Sequence, residues 1–309
     1  MRAAVIDIGS NSIKVLVADR GADGTPQEVL SRTLEARISQ GLGADRPRLS
    51  VAGMARGVGA VAELADEARR LGALRVAAVA TSAVRDAENG ADFRARVRAA
   101  TGLEVRILAG SEEASLIGRG LTTDPALATL RDFRVFDLGG GSLECLSFRG
   151  RQVEFAASLP LGCVRLTERL VPDPAAPFRQ ADGERIAREV ERQLAAAGVA
   201  RGPADGAAIG TGGTLTTVRA IRAAAAGTPF AESDPHLPVA LLRTTLGAVA
   251  AMDLAARRQV PGLAASRADV FPAALATLVA LAEWAGVTAF QHSLRNLRWG
   301  VAAELLAVP

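Results

Sequence analysis

Two short runs of small residues carry the groups that phosphate chemistry needs. The first is Asp7-Ile8-Gly9-Ser10-Asn11-Ser12 and the second is Asp137-Leu138-Gly139-Gly140-Gly141-Ser142. Each follows an apolar run that reads as a buried strand, Ala4–Ile6 and Val135–Phe136. Each passes an Asp and then residues small enough for the backbone to approach a ligand closely. Successive N–H groups in such a turn make a concave anion site, and the Asp at its edge can hold a divalent cation. A third segment, Gly210-Thr211-Gly212-Gly213-Thr214, has a similar character. Two such loops, one per domain and facing across a cleft, would grip a polyphosphate from both sides. Neither G-x-x-x-x-G-K-[ST] nor a strand followed by G-x-G-x-x-G is present, so the two familiar nucleotide loops are excluded.

The elements that must position these loops alternate between strand and helix signals. Strands are predicted at 2–8, 13–19, 28–35, 75–80 and 104–108, with helices at 50–71, 88–100 and from Gly110 to about Leu121. The polar, proline-containing stretch Thr122–Asp132 reads as a domain boundary, dividing 1–125 from 126–309. The second half begins with strands at 133–138, 143–148 and 153–159 and a helix at 163–170. A connector with Pro172, Pro174 and Pro177 leads to helices at 180–197 and 214–225. The remainder is mainly helical, with a strand near 287–291 and a last helix at 298–307. This alternation predicts two α/β domains.

The 309 residues suit two ordinary domains, and an apolar content of 49% is ample for their cores. The net charge of +3 and the absence of any Lys/Arg run exclude a nucleic-acid binder. Lysine occurs once, at Lys14. Cys145 and Cys163 form neither a metal pattern nor a disulfide framework, and His236 and His292 are the only histidines. Zinc and histidine-triad chemistry therefore have little to work with. No leader and no apolar stretch of membrane length is seen, so the expectation is a cytoplasmic protein with no membrane partner.

Several blocks together resemble a known family. They are Asp7–Ser12, Ala80-Thr81-Ser82-Ala83-Val84-Arg85-Asp86, Asp137–Glu144, Ser158-Leu159-Pro160-Leu161-Gly162-Cys163-Val164-Arg165-Leu166-Thr167-Glu168, Gly210–Thr214 and Arg267–Pro272. Their order and spacing are similar to the exopolyphosphatase / guanosine pentaphosphate phosphohydrolase (Ppx/GppA) family over nearly the whole chain. The resemblance implies an actin-like fold of the sugar kinase/heat-shock chaperone/actin superfamily, with two ribonuclease-H-like domains around a cleft. It implies a hydrolase that removes the terminal phosphoanhydride of inorganic polyphosphate or guanosine pentaphosphate (pppGpp), with Mg²⁺ or Mn²⁺.

The residues fit that chemistry. Ser10, Asn11, Ser12, Gly139, Gly140, Gly141, Ser142, Gly210, Thr211, Gly212 and Gly213 are the expected phosphate-binding positions, with Arg85 as a bidentate clamp. Outside the motif, Arg85 would read as a surface partner of Asp86. Asp7, Asp137 and Glu144 are candidate metal carboxylates, the last two also counted as catalytic. Glu112-Glu113 alone would be an acidic first helical turn. The family's base is the second Glu of this pair, which makes Glu113 the expected general base. The resemblance turns Cys163 towards the phosphates, while its residue type equally suits a small buried position.

Ser115, Ser39-Gln40 and Trp299 depart from the family pattern and bear on substrate preference. Short polyphosphate is the expected substrate, because the chain has no basic run and ends before the helical domain of longer members. A homodimer is compatible with the chain. Two alternatives stay open, a nucleoside di- or triphosphatase and a weakly catalytic phosphate-sensing regulatory protein. The joint presence of Glu113, Asp137 and Glu144 argues against the latter.

Overall fold

The computed structural model describes residues 1–39, 47–202 and 206–307. The chain forms two compact units, Met1–Thr129 together with the segment from Arg295 onward, and Leu130–Leu294.

In the first unit, β1 (Arg2–Ile8), β2 (Ile13–Arg20) and β3 (Pro26–Leu34) form an antiparallel meander. Helix α1 (Val51–Arg70) carries the chain back to β4 (Arg75–Ala80), parallel to β1. Then α2 (Ser82–Arg85) and α3 (Gly90–Thr101) lead to β5 (Val105–Ile107), parallel to β4, and α4 (Gly110–Thr122) follows. The strand order is β3-β2-β1-β4-β5. Nearly continuous apolar runs make β1 and β2 buried on both faces, whereas edge strand β3 alternates towards solvent. Helix α1 starts where the Ser50 hydroxyl accepts the Gly53 N–H at 3.0 Å. It turns Met54, Val61, Leu64 and Ala68 into the core.

The second unit repeats this plan. Strands β6 (Phe133–Leu138), β7 (Leu143–Arg149) and β8 (Gln152–Leu159) form the meander. Helices α5 (Cys163–Leu170) and α6 (Gln180–Ala196) precede β9 (Ala207–Thr211), parallel to β6. After α7 (Gly213–Ala226), β10 (His236–Pro238), α8 (Val239–Ala250), α9 (Leu254–Arg257) and α10 (Phe271–Ala285), β11 (Ala289–His292) joins parallel to β9. The order is β10-β11-β9-β6-β7-β8. Without the short β10, its pairing senses are those of the first sheet. Each unit is thus a ribonuclease-H-like sheet, and the doubled plan is the actin-like fold. Helix α10 is buried without a break from Phe271 to Ala282, packed against α6 and α8.

The last helix, α11 (Leu297–Ala307), departs from the expected division at 125/126, which placed it with residues 126–309. It packs in the first unit, against α4 and β1. The reason is a close helix crossing. A Cβ at Gly300 would lie 1.9 Å from the Leu116 carbonyl oxygen, and one at Gly120 would lie 2.1 Å from that of Asn296. Arg298 Nη1 donates to Val15 O at 3.2 Å and to Ser31 Oγ at 3.0 Å, tying α11 to the sheet. The boundary itself moves to 129/130 because Leu127 is buried beside α4. Trp299 is buried within α11 and sits under the Arg295 guanidinium, 4.1 Å from its ring centre. Its position is that of a core residue.

Overpacking at this crossing should be costly. Gly300→Val is expected to destabilise the fold by about 1–3 kcal/mol and to lower Tm by several degrees in a thermal melt. An unchanged Tm would mean that the helices are not this close.

Candidate active site

The two glycine–serine loops are hairpin turns of one design. In each, four residues connect paired strands, and the glycine N–H donates to the carbonyl of the last serine: Gly9 to Ser12 at 3.2 Å, Gly139 to Ser142 at 3.0 Å. What differs is the backing. Behind the second loop, the start of α5 donates to its carbonyls. Cys163 N reaches Gly139 O (3.0 Å), Val164 N reaches Gly140 O (2.9 Å), and Arg165 Nε reaches Gly141 O (2.9 Å). A trans peptide points its N–H opposite to its C=O. Tying down three successive carbonyls therefore turns the Gly140, Gly141 and Ser142 N–H groups away from α5. The approach requires Gly162, where a Cβ would lie 2.2 Å from the Gly141 backbone.

Behind the first loop the same work falls to residues 37–39. Arg37 N donates to Asn11 O at 2.8 Å, and the Ser39 N–H and hydroxyl both donate to Ser10 O. This turns the Asn11 and Ser12 N–H groups the other way. Arg37 holds a left-handed φ of 43°, a strained choice for a non-glycine residue. Its Nε donates to Asn11 Oδ1 at 3.2 Å, and Asn11 Nδ2 donates to Glu35 at 3.0 Å. Among the described residues, the N–H groups of Ser10, Asn11, Ser12, Gly140, Gly141 and Ser142 donate to no carbonyl or side chain in turns and loops, and Ser10, Asn11, Ser12 and Ser142 are buried. Buried N–H groups require partners, and an anion supplies them for several at once.

The Glu-Glu pair at the start of α4 divides its labour. The Glu112 carboxylate accepts the Ala109 N–H at 3.3 Å, as a helix cap, and pairs with Arg106. Glu113 is 5% exposed, and Arg85 Nη1 donates to its Oε2 at 3.0 Å. The same Nη1 donates to Leu108 O at 2.9 Å, while Arg85 Nε lies 3.3 Å from Asp86. Arg85 is therefore both the partner of Asp86 and the group that fixes Glu113.

In the second unit, Asp137 and Glu144 are directly opposite each other on β6 and β7. Both are buried. Ser158 Oγ donates to Glu144 Oε1 at 2.7 Å. Opposed residues on antiparallel strands hold their Cβ atoms about 5 Å apart on one face, close enough for two carboxylates to share a cation. Asp137 is also level with Thr211 on β9. Gly212 follows with φ +96°, and a Cβ there would lie 2.7 Å from Asp137 Oδ1. The third loop can thus approach the carboxylate only as glycine. Gly210 lies inside β9, and Gly213 begins α7. The Arg267 guanidinium packs on Gly213. Thr211 Oγ1, Thr214 Oγ1 and Arg267 Nε are buried atoms without hydrogen-bond partners among the described residues.

The donor set suits a hard cation. Mg²⁺ takes one or two carboxylates and fills its other positions with water and phosphate oxygens. Among the described residues, no three His, Cys, Asp or Glu side chains gather into a complete metal cage. Asp7, the third expected carboxylate, lies on β1 in the first unit, opposite Lys14 on β2.

Comparison with known proteins identifies the family. The model of the Ppx/GppA phosphatase family matches residues 16–308. The chain belongs to the Ppx/GppA phosphatase family. It is 32% identical to Exopolyphosphatase 1 of Mycobacterium tuberculosis over 273 residues, covering 87% of this chain and 77% of that protein. A crystal structure of the family member from Aquifex aeolicus has 25% identity and a TM-score of 0.78, covering 99% of this chain and 98% of that one. An exopolyphosphatase from Cytophaga hutchinsonii shares the fold with a TM-score of 0.88 at 21% identity, covering 99% and 98%.

Several positions differ from the expected Ppx/GppA site. Cys163 is fully buried, and burial pushes its thiol pKa up. It supports the second loop through its N–H and does not present its thiol at the surface. Ser39, a departure from the family pattern, backs the first loop. Gln40 lies outside the described residues. Ser115 is exposed on α4.

His236 is exposed in β10. His292, by contrast, is 4% exposed, and its Nε2 lies 3.2 Å from Thr216 Oγ1, which itself donates to Gly212 O. Burial, helped by Arg219, lowers its pKa from 6.5 to about 4. The unfolded chain binds this proton more readily, so stability is full above pH 6.5 and falls towards pH 4, by roughly 3 kcal/mol in all. Denaturant melts across this range should show the loss, and His292→Gln should flatten it. A wild-type curve unchanged by the substitution would assign the acid sensitivity elsewhere.

Among the described residues, no helix is long and apolar enough to cross a membrane.

Proposed function

We propose that the protein is an exopolyphosphatase, which hydrolyses the terminal phosphoanhydride of inorganic polyphosphate with a divalent cation, Mg²⁺ or Mn²⁺. The observation that carries this reading is Glu113, a buried carboxylate at a helix start held by Arg85. It lies in a chain related to a named exopolyphosphatase. In this reading the loop N–H groups bind phosphate oxygens and fix the terminal phosphoryl group in line with a water. Glu113 takes the proton of that water as its oxygen attacks phosphorus. The bridging P–O bond breaks, and the shortened chain leaves with the electron pair. Asp137 and Glu144 would hold the cation, whose chemistry is to neutralise charge on the phosphate oxygens. Arg85 orients the base and, on closer approach of substrate, can share its fork with a phosphate oxygen.

Short polyphosphates are the preferred substrates in this reading. Long polyanions need extended basic surface, and the sequence offers a net charge of only +3 and no basic run. The pentaphosphate pppGpp presents the same terminal anhydride and is the second substrate to test. The test is phosphate release from size-fractionated polyphosphate, pppGpp, ATP and ADP, compared as kcat/KM per chain end. Short polyphosphate should rank first. Activity confined to ATP and ADP would make the protein a nucleotidase, and a preference for chains of hundreds of units would overturn the length assignment.

A further inference from the structure

We propose that His292 is a positioning residue of the third glycine loop. Its Nε2–H holds the Thr216 hydroxyl, that hydroxyl holds the Gly212 carbonyl, and the Gly213 N–H is thereby aimed at a substrate phosphate. The inference rests on the reading of Gly210–Gly213 as phosphate-binding residues. It gives a role to a buried histidine that the hydrolytic mechanism leaves unused.

The Gly212 carbonyl accepts twice from one residue, from the Thr216 N–H at 3.3 Å and from Thr216 Oγ1 at 3.0 Å. A trans peptide points its N–H opposite to its C=O, so fixing this carbonyl fixes the Gly213 N–H. That N–H is the first of α7 and has no acceptor within the helix. A Cβ at Gly212 would lie 2.5 Å from the Leu138 carbonyl oxygen, so the peptide lies against the end of β6, where the second loop begins. The third loop is thus tied from behind through a carbonyl, as the first two are.

Hydroxyl bonds of this kind are common in the chain. Thr167, Thr217, Thr245 and Thr277 each donate to the carbonyl four positions earlier. Thr216 adds a ring nitrogen, His292 Nε2, at 3.2 Å. Counting hydrogens assigns the donor. The hydroxyl has one, spent on Gly212 O, so the ring donates from Nε2. His292 Nδ1 is buried without a hydrogen-bond partner among the described residues. A bare lone pair is easier to leave there than an unpaired N–H, which selects the same tautomer. The ring also stands on a fixed base. His292 pairs with Gly210 on β9, and its own N–H donates to Pro235 O at 2.8 Å.

The test compares His292→Leu, His292→Gln, His292→Asn, Thr216→Val and the double variant of His292→Leu with Thr216→Val. The readouts are binding of imidotriphosphate, a triphosphate that resists hydrolysis, by calorimetry with Mg²⁺, kinetics on short polyphosphate, and Tm. His292→Leu and Thr216→Val should each weaken imidotriphosphate binding roughly threefold to tenfold and raise KM in step, with kcat close to wild type. The double variant should bind no more weakly than either single one, because both cut the same chain of bonds. Glutamine, whose amide nitrogen can stand in for Nε2, should restore binding. Asparagine, whose nitrogen stands nearer Nδ1, should not. A merely structural histidine would lower Tm and leave binding below the melt unchanged. That result in a folded His292→Leu protein would overturn the inference, as would additive losses in the double variant or rescue by asparagine alone. If His292→Leu does not fold, Thr216→Val decides. Binding that varies across the set in a protein that releases no phosphate from polyphosphate would keep the positioning role and fail the exopolyphosphatase reading. Uniform binding with phosphate release intact would do the reverse.

Discussion

Glu113→Gln is expected to lower kcat by roughly 10² to 10⁴, with KM and Tm close to wild type. Glutamine keeps the shape of the side chain and can still accept the Arg85 hydrogen bond through its carbonyl oxygen. It cannot take up a proton. Because the carboxylate is buried and held at 3.0 Å by Arg85, no neighbouring solvent group replaces it readily. Arg85→Ala should behave differently. It frees Glu113 and deletes the proposed phosphate contact, so KM should rise along with the fall in kcat. Steady-state kinetics on polyphosphate separate the two patterns. Wild-type turnover in Glu113→Gln would move the base to another carboxylate.

Chelation should have an effect at least as large. Exhaustive treatment with EDTA is expected to abolish phosphate release, and Mg²⁺ or Mn²⁺ should restore it. A polyphosphate end concentrates negative charge that repels the attacking water's developing hydroxide, and a divalent cation is the group expected to neutralise it. Asp137→Asn and Glu144→Gln should each raise the metal concentration needed for half-maximal rate. Full activity after chelation, at metal contents verified by elemental analysis, would contradict the assignment of this pair.

Much of this architecture was legible in the residues. Unbroken apolar runs marked β1, β6 and β9, and the loops after β1 and β6 were readable because Asp, Gly and Ser stand at the strand ends. Local signals did not decide between Glu112 and Glu113. Both occupy the first turn of α4, and only the fold shows one capping the helix with Arg106 nearby and the other buried on Arg85. The return of α11 to the first unit was equally hidden. It depends on Gly120 and Gly300, 180 positions apart in the chain, allowing two backbones to touch. Strand β10 has three residues and ends at Pro238, too short to show a period. The backing of the first loop by residues 37–39 rests on a left-handed Arg37, a conformation that residue type does not announce. For Cys163 resemblance points towards the phosphates and residue type towards a small buried position; the structure buries it, and its peptide N–H, common to nearly every residue type, is what the loop uses.

The central claim, removal of phosphate from the end of a polyphosphate chain, is tested most directly by ³¹P NMR of a size-defined, medium-length polyphosphate incubated with the protein and Mg²⁺. The expected record is growth of the orthophosphate signal at the expense of interior phosphates, while the chain-end signal stays constant until the chains become short. Chain-end signals that multiply as interior ones vanish would show internal cleavage, and a spectrum that does not change while ATP is hydrolysed in a parallel sample would show that polyphosphate is not the substrate. Either result would contradict the account.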